Sequence, residues 1–558
     1  MIAQLQEEKI AKRPAREVMR LERLGSFHQS RLSFMRILLR RMRDEDWSVT
    51  QTDWQVNDHG EGHAVYTAKG PSRSYSLVAF AHDLPDHLRS DRVIAEAWDA
   101  TFTLFDGVPT KDDIKRLSVN VPYQEAGRVS ESELCLARAN RSSRLWNSTI
   151  DALAAGNQPD TEELKAVGYL MRTTAVYGSG KFGAKDRSQL ASRSELLPPF
   201  QAEMLTVYLI RLFVFDLVDH LAAVKGHGDA AKLDPEIKKS IGIGNSTGLG
   251  MAPFLIKHPA LFHAWIDARE EAISRVRSLN HASDTDVQIF MDRLHKTVEM
   301  LPQWQSSHPF QIEKCDGLRA DMAKFISHLN ESDALSGRNP WDTIFKWVQD
   351  SLSIECQECV ASLMLEPYGA LVDELAPEMA MDEDEAFPID GTMTVGLLKH
   401  YLTQNYDWVD RYNFQQDDHK ARFWYVSEAK LEPRLGERFE DEGAELEQPL
   451  AIARDVAELK AGLKGEDDLQ LVAEYLLKNP LYRHIVRRVQ LSSKYSFAEI
   501  QDNLIASEMM PIDMLRCKLS FFGATKFDPR SDRWVRICMY QGAPLPEDLG
   551  DHPDSWTY

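Results

Sequence analysis

The chain has 558 residues, of which 43% are hydrophobic and 27% charged, as is typical of a folded globular protein. This length predicts about two to four packing units. The formal net charge of −21 argues against a general surface for nucleic acid or anionic membrane, although it permits a local basic cleft for a small anion. Residues 1–40 contain no signal peptide, and charges interrupt the longest apolar run, 204–218. We therefore expect a cytoplasmic protein without a membrane span.

The region 1–125 is predicted to hold a basic helix followed by a small α+β fold. Residues 9–43 are rich in Lys and Arg and carry apolar residues near heptad spacing, which predicts an amphipathic helix. The runs 62–68 and 74–81 predict a hairpin, and 100–105 predicts a third antiparallel strand.

The region 126–375 is predicted to be a helical domain, because apolar residues recur there at three- and four-residue spacing. The predicted helices are 131–155, 161–176, 200–224, 259–279, 284–300 and 317–331. The region 376–558 is predicted to contain an acidic connector and a mixed α/β domain with a strand at 534–540. The expected fold class is mainly α, with a central helical bundle between two mixed regions.

Residues 242–253 (GIGNSTGLGMAP) form a glycine-rich segment between predicted helices. Glycine allows backbone amides to approach an anion closely, and Asn245, Ser246 and Thr247 add side-chain donors beside Gly248. Neither the Walker spacing nor the dinucleotide fingerprint is present. The segment is interpreted as a substrate loop, with an ordinary interhelical loop as the alternative.

Residues 177–183 (YGSGKFG) form a second glycine-rich segment, after the predicted helix that carries Arg172. Arg172, Gly180 and Lys181 are candidate substrate-binding residues, because Lys and Arg supply the charged hydrogen bonds that a carboxylate or phosphate needs. The alternative is a helix C-cap with solvated lysines.

His263 and Asp267 are four residues apart in a predicted helix, so they share one face. A carboxylate in that position can orient an imidazole as a general base, and Ser246 is the third candidate catalytic residue. The alternatives are a surface pair or a metal site. His82 and His87 are two further possible metal ligands, although an i,i+5 pair in a loop is a weak signal.

Gly250, Met251, Ala252 and Pro253, with the following 257–259, loosely resemble the mobile loop of helical elimination lyases, the fumarase and aspartase group. The segment departs from that loop, because its hydroxyl pair lies at Ser246 and Thr247 and Ala252 splits the Met-Pro dipeptide. Membership of that family does not follow. The resemblance implies a glycine-hinged loop whose hydroxyl closes over a carboxylate substrate.

The sequence thus favours an enzyme that acts on a small anionic metabolite, a carboxylate or a phosphate, by acid–base chemistry such as that of a lyase. No cofactor can be named, and a homo-oligomer is compatible with the predicted helical seam. Two alternatives stay open. The first is a non-catalytic cytosolic interaction protein, and the second is a metalloenzyme using His82, His87 or His263.

Overall fold

The protein is described from a computed structural model. The described residues are 9–88, 97–123, 130–174, 183–184, 190, 192–245, 259–304, 309–380, 388–413, 424–427, 433–435, 447–450, 452–501, 511–524, 526–528, 536–550, 554 and 556–557. They divide into two packing units, each made of separate stretches of chain. The helical unit comprises Met1–Arg31, Leu249–Lys518 and Arg530–Arg533, and the sheet unit comprises Leu32–Gly248, Leu519–Pro529 and Trp534–Tyr558. These units are not the three consecutive regions proposed from the sequence.

The sheet unit contains most of the strands. Its strands are β1 Ser48–Val56, β2 Gly62–Lys69, β3 Ser74–Ala81, β4 Ala100–Asp106, β5 Glu133–Arg141, β6 Tyr169–Thr174, β7 Gly183–Ala184, β8 Gly242–Asn245, β12 Lys526–Asp528 and β13 Arg536–Met539. Its helices are α3 Phe34–Asp44, α4 Lys111–Leu117, α5 Trp146–Ala154, α6 Thr161–Val167, α7 Gln201–Lys225 and α8 Pro235–Ser240.

The helical unit contains the remaining elements. Its helices are α1 Ala15–Val18, α2 Leu21–Leu24, α9 Pro259–Arg277, α10 Asp284–Met300, α11 Pro309–Glu331, α12 Pro340–Ser351, α13 Ile354–Met364, α14 Gly369–Asp373, α15 Val395–Asn405, α16 Ile452–Gly462, α17 Val472–Lys478 and α18 Arg483–Lys494. The division between the units falls within α19, Pro511–Phe522. A small antiparallel sheet has the order β10-β9-β11, with β9 Trp424–Ser427, β10 Pro433–Leu435 and β11 Glu447–Leu450.

The main sheet has the strand order β1-β2-β3-β4-β5-β6-β8-β13-β12, and β7 pairs with β5. Neighbouring strands are antiparallel except for β6 and β8, which are parallel. The predicted hairpin is confirmed: Gly62 pairs with Ala81 and Lys69 with Ser74. The predicted strands near 100–105 and 534–540 also form, as β4 and β13.

Helix α7 supplies the apolar layer that covers one face of this sheet. Phe213 on α7 contacts the rings of Trp54 on β1, Tyr66 on β2 and Phe102 on β4, with centroid distances of 6.3, 6.4 and 5.6 Å. One helix residue thus spans several strands, and burial of these rings supplies the hydrophobic driving force for closing the sheet unit.

Arg211 is a fully buried arginine in the middle of α7. Its guanidinium donates hydrogen bonds to the carbonyl oxygens of Ile241 at 2.8 Å, Ala543 at 3.0 Å and Lys238 at 2.9 Å. Burial lowers the pKa of Arg211 to about 10, so the group stays charged at neutral pH. The carbonyls belong to the segments that precede β8 and follow β13, so Arg211 fixes both strands against α7.

The helical unit is organised around a buried cluster of charges. Glu358 on α13 accepts hydrogen bonds from Arg13 at 2.6 Å, Arg23 at 2.7 Å and Arg269 at 2.7 Å. Arg13 also pairs with Glu270 at 2.7 Å. Burial alone would raise the pKa of Glu358, but the three arginines outweigh that effect and hold the pKa well below its usual value. The segment before residue 31 is therefore part of this core.

The expectation of a mainly α fold with a central helical bundle was wrong. The helices expected at 200–224, 259–279, 284–300 and 317–331 occur, but the region 126–375 also contributes β5, β6 and β8 to a large mixed sheet. A strand buried on both faces has no clean two-residue alternation, so its apolar spacing is easily taken for a helix. The residues of β5 are almost all buried, which explains the error.

The continuous helix expected over 9–43 was also wrong. The chain forms the short helices α1 and α2 and then α3, and residues 27–30 lie between them without helical structure. Arg13 and Arg23 are paired with buried carboxylates in the helical unit, so tertiary ion pairs override the local helical pattern.

We expect Arg211→Met to lower the free energy of unfolding by about 3–5 kcal/mol, because it leaves several buried carbonyls without a donor. Chemical denaturation would measure the loss. The matched control is Lys225→Gln at the end of the same helix, where the ion pair with Asp151 is more than half exposed. The control should cost less than about 0.5 kcal/mol, and an equal loss in both variants would contradict the role given to Arg211.

We expect Glu358→Gln to destabilise the helical unit by about 3–5 kcal/mol, because three buried guanidinium groups lose their shared carboxylate. Glu458→Gln is the control, since Glu458 is 59% exposed in its pair with Arg454. Calorimetry of both variants would compare them. A stable Glu358→Gln protein would show that the buried charges are not required for folding.

Candidate functional site

The two glycine-rich segments are associated with neighbouring strands of the main sheet. Residues 242–245 of the first segment are strand β8, and the second segment follows β6, which ends at Thr174. In the parallel pairing of these strands, Arg172 lies opposite Gly244 and Thr173 opposite Asn245. The carboxyl ends of β6 and β8 therefore lie side by side, and such ends are where ligands bind in many α/β sheets.

Two of the glycines are explained by strand packing. A Cβ on Gly242 would lie 2.1 Å from the carbonyl oxygen of Met539, and a Cβ on Gly244 would lie 2.7 Å from the ring of Tyr169. Real Cβ atoms do not approach other atoms this closely, so both positions need glycine for the close approach of β8 to its neighbours. The glycines at the start of the 242–253 segment are therefore required for packing of the strand β8.

Arg172 and Asn245 lie on adjacent strands but on opposite faces of the sheet. Asn245 is fully buried, and its Nδ2 donates to the Oγ1 of Thr173 at 3.2 Å. Arg172 precedes Thr173 in β6, and successive side chains of a strand point to opposite faces. The two predicted substrate-binding residues therefore do not share a surface within the sheet.

Arg172 lies on a buried polar face of the sheet. Its strand partner is Asn140, and Arg138 on the same strand as Asn140 pairs with Thr101 on β4. Because residues two apart on a strand share a face, these four side chains point the same way. We call the set Thr101, Arg138, Asn140 and Arg172 the polar face.

Two donors at the polar face have no hydrogen-bond partner within the described part of the chain. They are the Oγ1 of Thr101, which is fully buried, and the Nε1 of Trp98, which is 1% exposed. Trp98 stacks on Arg138, with the guanidinium carbon 4.3 Å from the ring centroid. Buried donors without partners are rare in native proteins and indicate a place where water or a ligand supplies the acceptor.

A small cleft opens beside Arg172. It is lined by Arg141, Ser142, Ser143, Arg144, Val167, Tyr169 and Arg172. Three arginines and two serines around one opening supply positive charge and hydrogen-bond donors, the combination that binds carboxylates and phosphates. Arg172 belongs to both the cleft and the polar face, and the cleft has the lining expected for an anion.

His82 follows β3 at the edge of the polar face. Its carbonyl oxygen accepts a hydrogen bond from Arg141, and its backbone amide donates to the carbonyl of Asp99 at 3.0 Å. Burial, together with the charge of Arg141, lowers the pKa of His82 to about 4. The imidazole is neutral at pH 7, and its buried Nε2 has no partner among the described residues.

His263 and Asp267, the predicted acid–base pair, lie on α9 in the helical unit. The Nδ1 of His263 accepts a hydrogen bond from the backbone amide of Phe497 at 2.9 Å, and its ring contacts those of Tyr495 and Phe497. Asp267 instead pairs with Lys12 at 2.7 Å. Burial lowers the pKa of His263 to about 4, against the opposing charge of Asp267.

The other predicted site residues lie outside the described residues. They are Gly180, Lys181, Ser246, Thr247 and Gly248. The metal-binding alternative stays a prediction. Within the described ranges, no group of three or more His, Cys, Asp or Glu side chains is arranged to hold a metal ion.

Comparisons with known proteins give no match: no family model, no curated protein and no solved structure is significantly similar to this chain. In the part of the chain that the structure describes, no helix is long and apolar enough to cross a membrane.

The sequence reasoning missed Thr101, Arg138 and Asn140. A signal was present in β5, where Arg138 and Asn140 alternate with Ala137 and Ala139. That alternation covers only the last residues of β5, after the unbroken buried run from Leu134 to Ala137, so it is too short to identify the strand by itself. It was hidden because the surrounding segment 131–155 was interpreted as a helix.

The depressed pKa of His263 predicts acid-sensitive stability. The folded state binds a proton at His263 only near pH 4, whereas the unfolded chain binds it near pH 6.5, so the stability present above pH 6.5 is lost as pH falls toward 4. His263→Asn keeps an acceptor for the Phe497 amide, and its melting temperature should fall less than that of the wild type between pH 7 and 4.5. His295→Asn removes an exposed imidazole as a control, and equal losses in all three proteins would contradict the prediction.

Proposed function

We propose that the sheet unit binds a small anionic molecule, a carboxylate or a phosphate, at the polar face and the adjoining cleft. The observation that carries the proposal is the placement of the buried Arg172 and the half-buried Arg138 on the same face as Thr101, where the donor atoms of Thr101 and Trp98 have no described partner. A buried donor loses hydration on folding, so an acceptor that pairs with it regains that free energy on binding.

The charge distribution supports an anion over a neutral ligand. The whole chain carries a net charge of −21, yet the cleft is lined by Arg141, Arg144 and Arg172. A local basic cleft in an acidic protein attracts small anions and repels the large polyanions that a basic surface would collect. Planar guanidinium groups also bind carboxylate and phosphate oxygens in pairs.

The glycine-rich segments are proposed to complete the site. The adjacent parallel strands β6 and β8 end at Thr174 and Asn245, and Arg172 lies two residues before the first of these points. Lys181, Gly180, Ser246, Thr247 and Gly248 remain the candidate contributors. Asn245 is proposed to support the segment from the opposite face, through its hydrogen bond to Thr173.

We further propose that the bound anion undergoes acid–base chemistry, with a lyase reaction as one form of it. His82 is proposed to accept the proton in this unit, because its imidazole is neutral at pH 7 and its buried Nε2 has no partner among the described residues. His263 with Asp267 remains the alternative pair, in the helical unit.

The substitution Thr101→Val distinguishes a role of the hydroxyl in ligand binding from a role in folding. The Oγ1 of Thr101 has no partner among the described residues, so its removal should leave the melting temperature unchanged or higher while weakening anion binding about tenfold. Arg172→Met should weaken binding at least about tenfold. Carboxylates, phosphates and nucleotides, at constant ionic strength, would be screened by thermal shift and then measured by calorimetry.

Lys225→Gln, in an exposed ion pair of the same unit, is the binding control and should bind like the wild type. Lys181→Ala tests the glycine-rich segment in the same assay. If no anion shifts the melting temperature of the wild type, the anion site is wrong and the non-catalytic interaction protein becomes the better hypothesis. If a ligand binds but the Thr101 and Arg172 variants bind equally well, the site lies elsewhere.

A further inference from the structure

A second group of buried polar side chains lies in the helical unit. Its members are Gln311 on α11, Glu355 on α13 and Arg516 on α19, together with His28 and Trp304, which lie outside the helices. Trp304 is half-buried, and the other four residues are no more than 6% exposed. We call these five residues the Glu355 cluster.

Arg516 contacts every other member of the Glu355 cluster. It donates hydrogen bonds to the Oε1 of Glu355 and, at 3.4 Å, to the Oε1 of Gln311. The Nε2 of His28 lies 3.3 Å from the guanidinium and 2.9 Å from the same Glu355 oxygen. The guanidinium carbon lies 5.5 Å from the ring centroid of Trp304, which stacks on His28. The five side chains therefore form one contiguous group.

Three buried atoms of the cluster have no hydrogen-bond partner among the described residues. They are the Oε2 of Glu355, the Nε2 of Gln311 and the Nε1 of Trp304. A guanidinium only donates, so Arg516 holds the amide oxygen of Gln311 and leaves the amide nitrogen as the unused arm. Two donors and one acceptor are thus unsatisfied around a single guanidinium, and buried polar atoms in native proteins normally have partners.

The charges within the cluster balance. Burial would raise the pKa of Glu355, but Arg516 and His28 outweigh that effect and lower the pKa to about 2. Burial lowers the pKa of His28, so the imidazole is neutral at pH 7. The single negative charge of Glu355 therefore offsets that of Arg516. A buried ligand with a net charge would find no counter-charge here, which favours a neutral molecule.

A planar amide group has the complementary hydrogen-bonding pattern. Its carbonyl oxygen has two lone pairs, which can accept from the Nε2 of Gln311 and the Nε1 of Trp304, and its N–H can donate to the Oε2 of Glu355. The half-buried Trp304 brings the cluster to the surface, so a molecule larger than water can reach it. A single buried water would satisfy the same three atoms and is the competing occupant.

We propose that the Glu355 cluster binds a small neutral molecule through a planar amide group, as in a carboxamide or a lactam. The cluster belongs to the helical unit, whereas the proposed anion site belongs to the sheet unit. The two proposals are therefore independent, and either can fail without the other.

The first test compares amides with their matching carboxylates. Nicotinamide, L-glutamine and uracil are the amide probes, and nicotinate and L-glutamate are the carboxylate counterparts of the first two. At least one amide, at about 10 mM, should raise the melting temperature of the full chain. Its carboxylate counterpart should bind at least about tenfold more weakly by calorimetry, because a carboxylate cannot donate to Glu355 and is repelled by it.

The second test removes the unused donors. Trp304→Phe deletes a donor that has no described partner, so it should weaken amide binding about tenfold without disrupting the fold. Gln311→Glu keeps an oxygen for Arg516 but replaces the free donor with an acceptor, and it should abolish amide binding. The matched control is Trp347→Phe, because Trp347 is a half-buried tryptophan of the same unit that stacks on His328. This control should bind like the wild type.

A crystal structure of the full chain soaked with the amide that binds most tightly should show that amide against the Oε2 of Glu355. Three results would overturn the proposal. The first is the absence of a thermal shift with every amide probe. The second is equal binding by the wild type and the Trp304→Phe variant, which would place the ligand elsewhere. The third is density for an ordered water alone at the three atoms, which would make the cluster a structural hydration site.

Discussion

The sheet unit depends on the hydrogen bonds of one buried arginine. Arg211 is placed by α7 at the centre of the unit, where its guanidinium binds the carbonyls of Lys238 and Ile241 before β8 and of Ala543 after β13. A buried guanidinium must have its donors satisfied, so the segments that supply these carbonyls have little freedom to move. The position of β8 between β6 and β13 follows from this constraint.

The candidate anion site depends on β8 in turn. Because β8 is parallel to β6, the carboxyl ends of the two strands lie side by side at Thr174 and Asn245. The strands also separate the functional groups by face: Asn245 supports Thr173 on one side, and Arg172 joins the polar face on the other. The same strands therefore carry packing contacts on one face of the sheet and polar side chains on the opposite face.

Buried charge has a different role in the helical unit. There, both oxygens of Glu358 accept hydrogen bonds from Arg13, Arg23 and the α9 residue Arg269, so this carboxylate is fully paired. The polar face is more open, because donors of Thr101 and Trp98 lack described partners. A fully paired carboxylate favours a structural role, whereas buried hydroxyl and indole donors that have no partner among the described residues favour ligand binding.

The sequence by itself determined the elements whose patterns are local. The hairpin of β2 and β3, the long helices such as α7 and α9, and the two glycine-rich segments could all be predicted, because periodicity and turn residues act over short distances. Arg172 could be selected by its charge. Only the tertiary structure decided that β5 and β6 are strands, that Arg172 shares a face with Arg138 and Thr101, and that Asp267 pairs with Lys12. The physical reason is that strand pairing and burial join residues far apart in the chain, and local patterns carry no information about which distant segments pack together.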